Sequence, residues 1–448
     1  MEHVPESELA VYAFDPAAVP AERRRAIESH IAECAECRAL NDFFAVAEED
    51  LSDVDVWERG IGSATYESLM AHAARITAED EEAGELLGPM LDTPARVAFA
   101  NLHRQKRFLT GGVVRQLNAR ALALRESEPL AALTFADTAI AIAETLPDDL
   151  YPGKAIHELR GKAWEHRAAA QMFLGEFTAA FDSLDHAERA HKHLASPAFG
   201  LAAVALIRAS VYYCQQRFVD AEQEAQKAER AYTHLGDADR RMNALHLRGG
   251  IRFEARDLSG AITLFDQVLE YGEGTGSARW IARASNALGN CECERGNLGD
   301  ASLHFHKALP LLREIGPASE RISAEWGIAR VLLRAGKRQE AIRRLRDAAA
   351  EFEARGIVTD AALVTIDIAD GLLALGQTHE IVKLAAHMFR VFTDAGMLTG
   401  ALTAMAYIKE AAAARRLTPD VLQAVRVFLQ RSRRQPEMLF VPPPSGNR

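Results

Sequence analysis

The stretch Gly296-Asn-Leu-Gly-Asp-Ala-Ser-Leu-His-Phe-His-Lys-Ala308 carries the pattern that organises most of this 448-residue chain. A glycine suited to ending one helix is followed by a second helix, in which Ala301, Phe305 and Ala308 fall on one stripe. The small first residue lets the second helix pack closely on the helix before it, and the large residue fills the groove between units. The stretch therefore predicts a helical hairpin with one close-packed face.

The same stripe recurs along the chain at almost constant spacing. A helical hairpin cannot bury its apolar stripe alone, so neighbouring copies must stack. The sequence thus predicts an all-α fold whose body is an α-solenoid superhelix. The first position of the stripe is occupied by Ala180, Ala221, Ala261, Ala301, Ala341 and Ile381, in steps of 41, 40, 40, 40 and 40 residues, after a weaker copy with Ala132, Ala136 and Ala139.

These hairpins resemble the tetratricopeptide repeat, in a longer variant of about 40 residues per unit. The resemblance covers roughly residues 111–395 and implies an array that binds other proteins. The copy that follows Gly376 departs from the pattern, because Ile381 stands where alanine is usual. The typical positions of the repeat are met by Trp164, Leu288-Gly289, Ala180/Ala301/Ala341, Phe265/Phe305/Leu345 and Ala187/Ala308/Ala348.

In stacked hairpins the first helix of each unit lines the concave face. An aromatic residue followed by arginines one and two turns later, as in Trp326, Arg330 and Arg334, suits an acidic or C-terminal peptide. The alternative is that Trp326 packs between repeats and the arginines are solvated. Seven side chains are predicted to form a partner-binding groove: His246, Phe253, Asn286, Asn290, Trp326, Arg330 and Arg334.

A second motif, His30-Ile-Ala-Glu-Cys34-Ala-Glu-Cys37, lies near the start of the chain. The preceding residues have helical periodicity, so His30 falls on the last turns of a helix and Cys34 lies one turn further on. The Cys-x2-Cys spacing lets two thiolates point at one ion, and structural zinc sites have four ligands. The motif therefore predicts a Zn²⁺ site with one ligand still to be found.

His3 is the only other His or Cys among the first 60 residues and is the predicted fourth ligand. Glu6 or Glu8 could take its place. The pair of thiols could also be core residues or a redox pair without a metal. If zinc is bound, oxidation of the pair to a disulfide would release it, which would make the site a thiol-redox or zinc sensor.

His3, a gap of 26 residues and His30-x3-Cys34-x2-Cys37 together resemble the zinc-binding anti-sigma domain. The resemblance covers residues 1 to about 50 and implies sequestration of a sigma factor of the extracytoplasmic-function type. Many members of that family carry a membrane span after the zinc domain, and this chain has no stretch of about 20 apolar residues. The expected signal is therefore cytoplasmic.

Charge is concentrated at the same end of the chain. Residues 1–60 hold 15 acidic and 5 basic side chains, a net charge of −10, whereas the other 388 residues have a net charge of −1. Such acidity argues against nucleic-acid binding there and suits a basic protein partner, although an acidic solvated surface is the plainer interpretation. The five cysteines, an odd number in a long chain, favour a reducing cytoplasm over a disulfide framework.

We find no phosphate loop, serine nucleophile elbow or HExxH motif, so the sequence predicts a regulator rather than an enzyme. The alternative function is a scaffold whose zinc module is only structural. The domain prediction has five parts: a zinc-binding helical domain at 1–58, a helical connector at 59–110, repeats at 111–395, C-terminal capping helices at 396–435 and an irregular tail at 436–448.

Overall fold

The computed structural model describes residues 4–5, 12, 19–34, 37–38, 63–90, 94–99, 101–147, 151, 153–194, 196–394, 399–432 and 438–443. Across these residues the chain forms nineteen α-helices and no β-strand, so the predicted all-α class is confirmed. The structure divides into two units. The first comprises residues 1–90 and 110–116, and the second comprises residues 91–109 and 117–448.

The first unit contains helices α1 (Ala21–Glu33) and α2 (Ser63–Leu87) and the start of α4 (Gly111–Leu124). The start of α4 is fixed to α2 by charge. Arg115 pairs with Asp80 at 2.8 Å and with Glu79 at 3.3 Å, and the Gly112 amide donates to the Glu79 carboxylate. A Cβ on Gly112 would lie 2.2 Å from the Glu79 carbonyl oxygen, so only glycine permits this approach.

The second unit begins with the short helix α3 (Ala95–Ala98) and continues from the end of α4 through fifteen helices. From α6 onward they are hairpins in which each helix packs on the next. Their bounds are α5 Pro129–Ala143, α6 Gly153–Phe173, α7 Phe177–Lys192, α8 Ala198–Cys214, α9 Phe218–His234, α10 Ala238–Glu254, α11 Leu258–Thr275, α12 Ala278–Arg295, α13 Leu298–Ile315, α14 Ala318–Arg334, α15 Arg338–Ala354, α16 Val358–Ala374, α17 Thr378–Asp394, α18 Thr399–Ala413 and α19 Pro419–Ser432.

One residue in each hairpin turn has a left-handed backbone. Every first helix from α6 to α16 is followed by such a residue, which reverses the chain within a few positions. Two of the six are not glycine, because Gln216 and Arg256 adopt φ values of 59° and 68°. The constant spacing thus belongs to the turn geometry rather than to glycine itself. The six positions are Gly175, Gln216, Arg256, Gly296, Gly336 and Gly376.

The repeated stripe forms the packed interior, as its period predicts. The six first positions, from Ala180 to Ile381, all have 0% exposure. Large residues of the stripe fit against glycines on the neighbouring first helices. A Cβ on Gly289 or Gly327 would lie 2.8 or 2.3 Å from the ring of Phe305, so that ring occupies space that alanine would take. Close approach of helix backbones therefore holds one hairpin to the next.

The side chains between repeats change character along the chain. Near the N-terminal end of the array, Arg208 pairs with Glu188 at 3.0 Å and Arg248 pairs with Glu229 at 2.5 Å. Forty residues further on the corresponding pair is Leu288 and Leu269, and the next two interfaces are also apolar. The positions that correspond to the arginine are Arg167, Arg208, Arg248, Leu288, Ile328 and Ile368.

The C-terminal end of the second unit closes on itself. Helix α19 packs against both α18 and α16. After α19, Phe440 is buried between Tyr407 and Phe428, with ring centroids 5.6 and 5.2 Å away. These contacts cover the apolar face that the last hairpin would otherwise expose, as the end of a stacked array requires.

The change from ionic to apolar interfaces gives a stability prediction. Arg248→Leu leaves the half-buried Glu229 without its partner and removes one of the two arginines that pair with Glu222, so the free energy of unfolding should fall by about 2 kcal/mol. Adding Glu229→Leu removes the unpaired charge and introduces the residue types found at Leu269 and Leu288, so it should restore part of that loss while Glu222 keeps its contact with Arg252. Urea denaturation followed by circular dichroism at low and high salt measures both effects.

A variant in the apolar interface serves as the control for the two Arg248 variants. Leu269→Ala should destabilise the chain to the same extent at low and high salt, because no charge is removed. A double Leu variant no more stable than Arg248→Leu alone would show that the Arg248 site does not accept the apolar pair.

Candidate metal centre and ligand cavities

The His–Cys–Cys motif forms a compact group at the end of α1. His30 lies in the last turn, and Cys34 ends the helix with its amide donating to the His30 carbonyl at 2.8 Å. The residue after Cys37, Arg38, donates from its backbone amide to the Cys34 carbonyl at 3.0 Å. Its guanidinium donates back to the carbonyls of Ile31, at 3.0 Å, and Ala32. Arg38 therefore satisfies carbonyls that the helix end leaves open and ties the residue after Cys37 to the end of α1.

One nitrogen of His30 and the Sγ atoms of Cys34 and Cys37 all lie within 4.8 Å of one another. Donor atoms around a tetrahedral zinc ion with bonds of about 2.3 Å would be about 3.7 Å apart, so small side-chain shifts would bring the three onto one ion. Imidazole nitrogen and thiolate sulfur are ligands that Zn²⁺ prefers. The three residues present therefore fit a structural zinc ion. His3, Glu6 and Glu8 lie outside the described residues.

The core beside this group is small. Its described buried residues are Val19, Ile27 and Cys37, with partly buried residues around them. Cores of this size supply little folding free energy, and a metal ion is a common supplement. Among the described residues, no other three His, Cys, Asp or Glu side chains bring their ligand atoms within 4.8 Å of one another.

Cys291 and Cys293, in α12, are buried side chains of the repeat array. Burial raises the pKa of the Cys291 thiol to about 12 and raises that of Cys293 as well. Thiols in this state do not ionise at neutral pH and are poor nucleophiles and poor metal ligands. These two residues therefore serve as small core residues.

The predicted groove residues line two cavities on the first helices of successive repeats. The larger, which we call the arginine cavity, has a volume of about 480 Å³ and includes Phe253, Trp326, Arg330 and Arg334. The smaller, which we call the asparagine cavity, has a volume of about 270 Å³ and includes His246, Phe253, Asn286 and Asn290. All seven predicted residues thus line one cavity or both, and Phe253 is shared. Their binding role stays a prediction.

The arginines of the larger cavity converge on one carboxylate. Glu294 pairs with Arg330, with Arg334 at 2.9 Å and with Arg256 at 3.6 Å. Burial alone would raise the pKa of Glu294, but the Arg330 and Arg334 guanidiniums hold it below its usual value. Arg330 and Arg334 are therefore ion-paired rather than simply solvated.

Trp326 packs in part against the apolar core and also carries a polar contact. Its ring meets Phe352 edge-on at 6.4 Å, and its Nε1 donates to the Asp367 carboxylate at 2.6 Å. Asp367 is buried and also pairs with Arg426 of α19 at 2.7 Å. One carboxylate therefore joins α14, α16 and α19, and a Trp326 variant would perturb packing as well as the cavity wall.

The asparagine cavity is lined by apolar side chains and by an uncharged histidine. Burial lowers the pKa of His246 to about 3, with help from Arg283 and Arg279, so its imidazole is neutral at physiological pH. Arg283 and Glu320 also line the cavity and form an ion pair, 3.5 Å apart. Burial lowers the pKa of Arg283 and raises that of Glu320.

Sequence reasoning missed the charged partners of the predicted residues. Of these partners, Asp367 alone stands out in the sequence, because it is the single charged residue within the apolar run Ala361–Ala369 of α16. Glu294 and Arg256 follow the repeat period but have no distinguishing neighbours. Arg426 lies on α19, outside the repeated pattern.

No helix in the described part of the chain is long and apolar enough to cross a membrane. No family model matches the sequence, and no curated protein matches it.

Solved structures share the helical-repeat fold at low sequence identity. Aspartyl phosphate phosphatase F from Bacillus subtilis is 15% identical with a TM-score of 0.50, over 89% of this chain and 97% of that chain. A tetratricopeptide repeat protein from Parabacteroides merdae is 16% identical with a TM-score of 0.41, over 68% and 100%. NprR in complex with its cognate peptide NprX is 14% identical with a TM-score of 0.40, over 73% and 95%. At this identity the first likeness establishes the α-solenoid fold alone.

The donor group at the end of α1 predicts metal binding that metal analysis can measure. The purified full chain should contain about one zinc per molecule, and Cys37→Ser should lose nearly all of it because one of the two thiolate ligands is removed. Cys214→Ser serves as the matched control and should keep its zinc. Equal zinc content in the two variants, or none in the unaltered chain, would contradict the assignment. His3→Ala then tests the fourth ligand.

Proposed function

We propose that this protein is a regulator that acts by binding other proteins through two separate parts. The helical-repeat unit binds a peptide or protein segment, and the N-terminal zinc module sequesters a sigma factor or another basic protein. The observation that carries the proposal is the pair of adjoining cavities, about 480 and 270 Å³, lined by the first helices of successive repeats. Concave, partly apolar sites with a few convergent polar groups are the usual form of a ligand site.

The arginine cavity supports an acidic ligand. Arg256, Arg330 and Arg334 converge on the carboxylate of Glu294, and Arg330 is also attracted by Asp367. A ligand carboxylate, from an acidic side chain or a C-terminus, would share the guanidiniums with Glu294. The lining also holds Glu254, Asp367, Asp370 and Asp420, so its five carboxylates outnumber its four arginines and a ligand can bring few negative charges. The favoured ligand therefore carries one or two acidic groups.

The N-terminal module supports a basic partner. Its first 60 residues have a net charge of −10, and its His–Cys–Cys group fits a structural zinc ion. The choice of a sigma factor rests on the resemblance to zinc-binding anti-sigma domains. Structural zinc contributes folding free energy, so a metal-free module would lose its fold, and zinc and binding should be lost together.

Opposite charge changes in the arginine cavity should change peptide affinity in opposite directions. Arg334→Gln removes one guanidinium and should weaken binding several-fold, whereas Glu294→Gln removes the competing carboxylate and should strengthen it several-fold. The probe is a synthetic peptide pool ending in Asp or Glu, measured by fluorescence anisotropy against the full chain. Arg416→Gln serves as the surface control, because Arg416 is exposed on the loop after α18 and lines neither cavity.

Weaker binding in both cavity variants would indicate loss of cavity structure rather than charge recognition. Thermal melting of each variant separates these cases. Absence of binding by any acidic peptide, with all variants folded, would overturn the peptide-binding role.

The zinc module gives a second, independent expectation. Full-length protein used as bait should retain a sigma factor or other basic protein at low salt and release it at moderate salt, since exposed charges are screened beyond about 8 Å at physiological ionic strength. The Cys34→Ser, Cys37→Ser double variant should retain none, while Arg334→Gln should retain as much as the unaltered chain. If retention of the basic protein depends on Arg334 and not on the cysteines, the alternative function is favoured: a scaffold whose zinc module is only structural.

A further inference from the structure

The asparagine cavity contains two polar atoms that the described part of the chain leaves without a hydrogen-bond partner. They are Nδ1 of His246 and Oδ1 of Asn286; both have almost no accessible surface, so a ligand donor reaches the Asn286 oxygen after that side chain turns toward the cavity. Phe253, Phe265 and Ala287 supply the apolar walls around them. Buried polar atoms are nearly always hydrogen-bonded, so these two have the character of a recognition site for a ligand group.

Gly250 leaves the cavity open on one side. It lies inside α10 with an ordinary helical backbone, and a Cβ built there would meet nothing within 4 Å. Its neighbour Gly249 is different, because a Cβ there would lie 2.5 Å from the Phe265 ring. Packing therefore requires glycine at 249 but not at 250. A glycine that neither backbone nor packing requires lowers helix stability, and its structural effect is the space that it leaves in the cavity wall.

The shape and polarity of the cavity select one kind of side chain. Aromatic rings are already close together there, with the His246 and Phe265 centroids 5.2 Å apart, so another ring could pack against them. The imidazole of His246 is uncharged, and Arg283 and Glu320, which also line the cavity, pair with each other, so the lining has no net charge. A charged side chain would lose its hydration without gaining a partner, whereas a hydrogen-bond donor would satisfy the Asn286 oxygen.

We propose that the asparagine cavity binds one aromatic side chain that carries a hydrogen-bond donor, as tyrosine and tryptophan do, and that Gly250 provides the space for its ring. The proposal rests on the peptide-binding function proposed above and names the residue type that the ligand presents beside its acidic group. Phe253 lines both cavities, so one short peptide can occupy the two together.

Side-chain analogues test the pocket directly. Toluene, p-cresol and 3-methylindole reproduce the side chains of phenylalanine, tyrosine and tryptophan, and saturation-transfer NMR on the full chain measures their weak binding. p-Cresol and 3-methylindole should bind about two- to tenfold more tightly than toluene, because only they donate to Asn286. Asn286→Leu should remove this preference and leave toluene binding unchanged or stronger. Equal binding of the three analogues by the unaltered chain would overturn the proposal.

A volume substitution tests the role of Gly250. Gly250→Leu should abolish binding of all three analogues while its melting temperature stays at or above that of the unaltered chain, since the added side chain enters open space. Gly299→Leu is the matched control, because a Cβ at Gly299 also meets nothing and that residue lines neither cavity. Analogue binding by folded Gly250→Leu at the unaltered affinity would place the ring elsewhere and overturn the proposal.

The same variants separate this proposal from the wider function. Acidic peptides with and without a tyrosine are compared on the unaltered chain, Gly250→Leu and Arg334→Gln. Loss of the tyrosine advantage in Gly250→Leu alone supports the pocket. Peptide binding that responds to Arg334→Gln but never to tyrosine or to Gly250→Leu would leave the peptide-binding function standing and overturn the aromatic pocket.

Discussion

The structure depends on one packing constraint, the close approach of helices over a stripe of small buried residues. Alanine at the first stripe position brings neighbouring helices together, and the fully buried positions from Ala180 to Ile381 show how strictly that contact is kept. Because the contact recurs about every 40 residues, each first helix is set against its neighbour in the same orientation. Side chains 40 residues apart therefore form rows across the first helices.

Those rows determine the chemistry of the cavities. One row runs through His246, Asn286 and Trp326, and a second, one turn further along each helix, runs through Gly250, Asn290 and Arg330. In both rows the side chains are neutral at the asparagine cavity and become aromatic or basic at the arginine cavity. The period fixes where these side chains lie, and the variation within it fixes what they recognise. A solenoid can thus place different subsites side by side without changing its backbone.

The sequence period was sufficient to predict the fold class and the buried stripe, because both follow from the same spacing of about 40 residues, and the seven groove residues predicted with it are among those that line the cavities. It could not predict the ion pairs that give those walls their charge. Glu294 meets arginines from the preceding and following repeats, and such side-chain choices leave no periodic trace. Nor could it predict that Arg426 would reach Asp367, since α19 packs back onto α16 instead of adding another turn to the array.

The interactions that stabilise the array differ between its two ends. Interfaces built on Arg208 and Arg248 depend on paired charges, and those built on Leu288, Ile328 and Ile368 depend on apolar burial. Ion pairs that remain partly exposed hold helices less firmly than apolar contacts, and salt weakens them. Most of the helices that line the two cavities, from α10 to α19, lie on the apolar side of this change. The cavity walls are therefore supported by the interfaces that ionic conditions disturb least, and α10 stands at the boundary, with Arg248 on its ionic side and Gly250 in the cavity wall.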